Sequence, residues 1–151
     1  MKTSFAILAV LLTSALVAGG AYADSGTAGA PRTTSLNGAE ETPAGDPDGT
    51  GSARVTLNVG KGRVCWSLTW ASIDPPTAAH IHRAPAGTAG GVVVPFFTAL
   101  PAVASGCREG VDPVLIQDII DFPEKYYVNV HNPAFPAGAI RGQLSVPGQA
   151  D

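Results

Sequence analysis

The chain is poor in charge. Asp, Glu, Lys and Arg make up 14% of its 151 residues, with 9 basic side chains against 12 acidic ones and a net charge of −3. The basic residues are scattered and form no run. That excludes the positive patch by which nucleic acid or an anionic membrane surface is held. Cysteine is scarce, and the two present, Cys65 and Cys107, lack the close spacing of a thiolate metal knuckle. Beyond the first residues no apolar run is long enough to span a bilayer. A G-x-S-x-G nucleophile elbow is missing too. The sequence assigns no catalytic residue and no organic-cofactor site.

What is there begins with an export signal. Lys2 supplies a positive start, Phe5 to Val17 is mostly apolar, and Ala21-Tyr22-Ala23 before Asp24 is a small-x-small cleavage site. Residues 1–23 are expected to be a cleaved signal peptide. The product would be secreted, extracellular or periplasmic, with no membrane span left. The remaining residues suffice for one domain with a core. Export makes a Cys65–Cys107 disulfide the expected state of the thiols. Closing that long loop contributes about 4 kcal/mol in the chain-entropy view.

Eighteen glycines and thirteen prolines with few charges suit an all-β domain rich in turns. Residues 24–32 read as a flexible leader, 33–147 as the domain and 148–151 as a tail. Ser52 to Val59 alternates apolar and polar residues, Gly60-Lys61-Gly62 turns the chain, and Arg63 to Trp70 alternates again. This is a β-hairpin. Further strands are expected at 33–36, 78–82, 92–97, 126–131 and 139–146. Pro95 points to an edge strand or an early end for the strand over 92–97, and residues 98–110 read as irregular. Asp112-Pro113 opens a short helix, Asp as cap and Pro at its first position, with Val114, Leu115, Ile119 and Ile120 as its apolar stripe. About seven strands and one helix predict a Greek-key β-sandwich or flattened barrel. The acidic pairs Glu40-Glu41 and Asp46-Pro47-Asp48 fall in a loop, where solvated charge is the expected role.

All three histidines lie in two strand motifs, His80-Ile81-His82 and Asn129-Val130-His131. Residues two apart share a strand face, so His80 and His82 present adjacent imidazoles and His131 can join them from a neighbouring strand. Three neutral imidazoles suit zinc or copper and leave a coordination position open. Asn129 or Tyr127 would then orient a ring from behind. The same histidines can instead donate to carbonyls of the Gly- and Pro-rich loops at 87–91 and 132–138. Sequence leaves both readings open. Arg141 has the same two options, an anion contact or a fork of hydrogen bonds to loop carbonyls.

The stretches A-A-H-I-H-R-A-P-A-G-T-A-G-G-V-V-V and Y-Y-V-N-V-H-N-P-A-F-P-A-G-A-I-R-G-Q-L closely resemble the chordin-type, or CHRD, domain in its secreted single-domain bacterial form. The resemblance covers about residues 34–146. Asn132 stands for the family's usual Thr and Ala139 for its usual Glu. It implies an extracellular, non-enzymatic binding or structural module whose protein or ligand partner is unknown. A second, smaller resemblance is to copper–zinc superoxide dismutase. There an H-x-H strand binds copper and a late Arg guides the anion, roles that would fall on His80, His82 and Arg141. The bridging His and the zinc loop of that family have no counterpart in this sequence.

Overall fold

The computed structural model describes residues 29–98, 102 and 104–148. Eight strands form one antiparallel sheet: β1 Ala30–Asn37, β2 Thr50–Asn58, β3 Arg63–Ala71, β4 Ala78–Arg83, β5 Gly91–Phe97, β6 Ser105–Arg108, β7 Tyr126–His131 and β8 Ile140–Gln143. Their spatial order is β5-β4-β7-β8-β1-β2-β3-β6. The sheet curls until its two edges almost meet, a flattened barrel just short of closure. Arg108 Nε on β6 donates to the Pro95 carbonyl of β5 across the gap at 3.1 Å. Inside, Trp66 of β3 stacks on Phe96 of β5 with centroids 4.8 Å apart.

The hairpin follows from its alternation. Ala53, Val55 and Leu57 of β2 point inward, as do Val64, Trp66 and Leu68 of β3. Nine residue pairs, from Thr50↔Ala71 to Asn58↔Arg63, set the register. Gly62 takes the left-handed conformation its turn requires, at φ 57°. Helix α1, Pro113–Asp121, closes one end of the barrel, with the Asp112 side chain accepting from Val114 N–H. Burial of each large aliphatic side chain in this interior contributes about 1.5–3 kcal/mol.

Several expectations change. The supposed leader is part strand: Ala30, Pro31 and Arg32 belong to β1. Arg32 is buried, and its guanidinium donates to the Ile120 carbonyl at the end of α1. Arg32, at the end of the expected flexible leader, is thus an anchor. Residues 1–28, including the signal-peptide segment and the rest of the leader, lie outside the described residues. The eighth strand, β6, falls where an irregular segment was expected. Its sequence Ser-Gly-Cys-Arg has no apolar alternation because it is an exposed edge. The helix buries Ile116 and Ile119, whereas Val114 is 75% exposed. Ile116 and Ile119 face the core with Leu115 and Ile120 packed at its margin, so of the expected stripe only Val114 turns away.

The strand that matters most for the site is β7, in the middle of the sheet between β4 and β8. Tyr126, Val128 and Val130 face the core. Tyr127 and Asn129 face outward, yet both are buried. Antiparallel sheets commonly leave one face wet. In this barrel the loops over 84–90 and 132–138 and the turn at 38–46 cover the outer face of β4, β7 and β8.

Candidate metal centre

The sheet lattice brings the three histidines together. On β4, His80 stands opposite Asn129 of β7, His82 opposite Tyr127, and Ala78 opposite His131. All three imidazoles therefore share the outer face around Asn129. Register shifts between Ala79 and His80 and between Ile81 and His82 interrupt the β4–β5 pairing. Such irregularities re-aim side chains beside them. Ring centroids are 5.1 Å apart for His80 and His131, and 5.4 Å for His80 and His82. One nitrogen from each ring lies within 4.8 Å of the others. His80 Nδ1 and His131 Nε2 are hydrogen-bonded at 3.3 Å, with His80 Nδ1–H donating because His131 carries its own proton on Nδ1. Two ligands of one tetrahedral ion with bonds of about 2.1 Å stand about as far apart. The widest pair, 4.8 Å apart, must close by about 1.4 Å to share that ion.

Main-chain oxygens fix two of the rings. His82 Nδ1 lies 2.9 Å from the Gly90 carbonyl and His131 Nδ1 lies 3.0 Å from the Pro136 carbonyl. A carbonyl only accepts, so each Nδ1 carries the proton and each Nε2 is left with its lone pair. Among the described residues, the buried Nε2 of His82 has no hydrogen-bond partner. Burial holds the ring pKa values below their usual value in all three cases. For His80, desolvation and then repulsion from His131 and His82 bring it down to about 4. His82 and His131 are lowered chiefly by desolvation, His82 against the pull of the Gly90 carbonyl and the Asn129 side chain and His131 against that of the Pro136 carbonyl. At neutral pH the trio is uncharged, the form that binds metal.

The covering loop is fastened from below. The Tyr127 ring stacks on His82 with centroids 4.8 Å apart and planes 7° from parallel, and its hydroxyl accepts from Gly90 N–H. Arg141, 2% exposed, donates to the carbonyls of Thr88 at 2.8 Å and Pro85 at 3.0 Å. Its guanidinium lies 3.4 Å from the Tyr127 ring centre. Gln143 Nε2 donates to the Ala84 carbonyl. Arg141 thus holds the loop, and its fork is turned to carbonyls and not to an anion.

Glu41 was read as solvated loop charge, and the structure overturns that. It is 7% exposed and accepts from Asn129 Nδ2 at 3.0 Å. Desolvation pushes its carboxyl up to about 7, against the Asn129 hydrogen bond and the nearby Arg141 charge. The close fit needs Gly138, where a Cβ would lie 2.3 Å from Glu41 Oε1. Nothing local in the sequence announced this, since the partners are 88 residues apart. Asn129, expected to orient a ring, sits among the histidines with its amide nitrogen on Glu41, and its side chain also acts on the His82 ring. The Gly90 and Pro136 carbonyls fix the rings of His82 and His131, and Tyr127 stacks on His82.

The two cysteines stand apart from this centre. Cys65 of β3 faces Cys107 of β6 in register, and the two are joined by a disulfide. No free cysteine occurs among the described residues, so the histidines have no thiolate to join them.

No curated protein and no solved structure matches the chain. The family model of the CHRD domain does match, over residues 32–144, from β1 through the last strand. That span carries both histidine motifs, the disulfide and Arg141, and the chain belongs to the CHRD domain family.

Proposed function

We propose that this protein is an exported CHRD module that binds a zinc or copper ion through His80, His82 and His131. One observation carries the reading. Two of the imidazoles have Nδ1 committed to loop carbonyls, which leaves Nε2 as the ligating nitrogen of each: that of His131 meets His80 Nδ1 at 3.3 Å, and that of His82 is buried without a hydrogen-bond partner. A histidine with one nitrogen on a backbone carbonyl and the other bare is the usual arrangement of a metal ligand. Loop anchoring by itself accounts for the Nδ1 bonds. It does not account for a buried, bare Nε2 on His82, which is costly without a partner. Anchoring and metal binding use opposite nitrogens of the same rings, so the two roles are compatible. Three nitrogen donors without thiolate favour zinc or copper over calcium or magnesium. The disulfide and the extracellular type of the family support export.

The test is a metal titration of the purified, disulfide-intact protein after chelator treatment. One equivalent of zinc or copper should bind, and His82→Ala and His131→Ala should each weaken binding at least ~10-fold. Substoichiometric metal, or an affinity unchanged in His82→Ala, would falsify the centre. For export, N-terminal sequencing of protein recovered from outside the cytoplasm should begin at Asp24. A mature chain that retains Met1 would refute cleavage.

A further inference from the structure

Asn129 holds an unusual place beside the three histidines. It stands directly opposite His80, two residues before His131 on the same strand face, and diagonal to His82. It is 2% exposed. Its Nδ2 donates to Glu41 Oε1, which fixes the amide with Oδ1 at the other end. Among the described residues that buried Oδ1 has no hydrogen-bond partner. A buried carbonyl oxygen left bare is costly, and folded proteins satisfy nearly all of them. The neighbouring His82 Nε2 is bare as well. One acceptor oxygen and one metal-ligating nitrogen therefore stand side by side, within electrostatic reach of each other but with no formed hydrogen bond to either atom.

An ion on the three imidazoles satisfies the nitrogen but offers the oxygen nothing. A ligand on the ion's fourth position satisfies both, provided it carries a hydrogen on its donor atom. We infer that the fourth coordination position of this centre is built for a small protic oxygen ligand, water in the resting protein, which donates to Oδ1 of Asn129. This rests on the metal reading above. Alcohols and hydroperoxides belong to the same ligand class, whereas azide and halides have no proton to give Oδ1. Glu41 acts one step further back, holding the amide so that Oδ1 and not Nδ2 meets the ligand. Asn129 is thus a positioning residue for whatever occupies the open position.

The experiment uses the full chain loaded with one equivalent of Cu(II), read by the relaxation of bulk water protons. A coordinated, exchanging water should raise relaxivity clearly above that of the same protein with excess azide blocking the metal. In Asn129→Leu, with copper stoichiometry retained, the enhancement should fall at least twofold. Wild-type relaxivity that azide leaves unchanged would mean no exchanging water, with Oδ1 itself on the metal, and would overturn the inference without any variant being needed. An Asn129→Leu centre with wild-type relaxivity would overturn it too. Failure to bind one equivalent of copper or zinc in the wild type would instead remove the metal centre, and this inference with it.

Discussion

Arg141 directs a buried charge at main-chain oxygens, and this decides what its loss should do. Its planar fork reaches Thr88 and Pro85 together while its face rests on Tyr127. Lysine has the charge but neither the fork nor the flat face. Arg141→Lys should therefore cost about 2 kcal/mol, seen as a lower urea midpoint. A change within about 0.5 kcal/mol would show that the loop is held by its other contacts. Gly138 makes a second residue-scale case. At φ 148° and with Glu41 against its Cα, it has no room for a Cβ. Gly138→Ala should destabilise by about 2 kcal/mol or more. Because Glu41 is what the new methyl meets, Glu41→Ala should absorb part of that cost. A double-mutant cycle should give a coupling of about 1 kcal/mol or more, and strict additivity would show that backbone conformation alone demands the glycine.

Among the elements, β6 depends most on one covalent link. It has four residues, pairs only with β3, and meets β5 through the Arg108 side chain. Its exposed residues contribute little apolar burial, so the Cys65–Cys107 disulfide should be what keeps it in register. Replacing both cysteines by serine should cost about 2–4 kcal/mol. The amides of Gly106 and Arg108 should then lose exchange protection before those of β2 or β7 do. Uniform loss across the sheet would mean that β6 folds and unfolds with the whole barrel. The elements were legible in the sequence in proportion to their alternation. The β2–β3 hairpin and the Asp112-Pro113 helix start came through because each is encoded by neighbours. The strand β6 did not, since an exposed edge held by a disulfide has no apolar period to read. The histidine strands were legible as strands, and their shared outer face followed from the period of two. The loops that supply the ring-fixing carbonyls were legible, 87–91 for Gly90 and 132–138 for Pro136, whereas the individual carbonyls and the burial of Glu41 were not. They depend on how three loops fold back over β7, and contacts across such distances leave no local pattern.

For the molecule as a whole, these buried ionisable groups set opposing pH dependences. His80, His82 and His131 all have folded pKa values below the unfolded 6.5. As pH falls through 6.5 the unfolded chain takes up protons that the folded one refuses, so acid destabilises the fold. Glu41 works the other way. Its pKa rises from 4.5 to about 7 on folding, so its contribution is complete below 4.5 and is lost as pH climbs through 7. Between 4.5 and 6.5 the unfolded chain gains protons at three histidines while the folded one keeps a proton at a single carboxyl. The histidines outnumber it, and metal-free stability should pass through a maximum near pH 6.5–7 and decline toward pH 5. Metal sharpens the acid side. An ion that binds only the folded state stabilises it by mass action, and protons compete with it for the same nitrogens. With zinc present the urea midpoint should therefore rise at pH 7, and the gain should vanish by about pH 5. The comparison to make is four urea titrations, at pH 5 and 7, each with zinc and with chelator. His82→Ala should flatten the acid decline of the metal-free protein, since one of the refusing rings is gone. Glu41→Gln should steepen it, because the opposing carboxyl no longer titrates. If metal-free Glu41→Gln, in which no carboxyl opposes the rings, is as stable at pH 5 as at pH 7, the histidines are not held neutral by the fold. The bare Nε2 of His82 would then be a charged, solvated group instead of a waiting ligand.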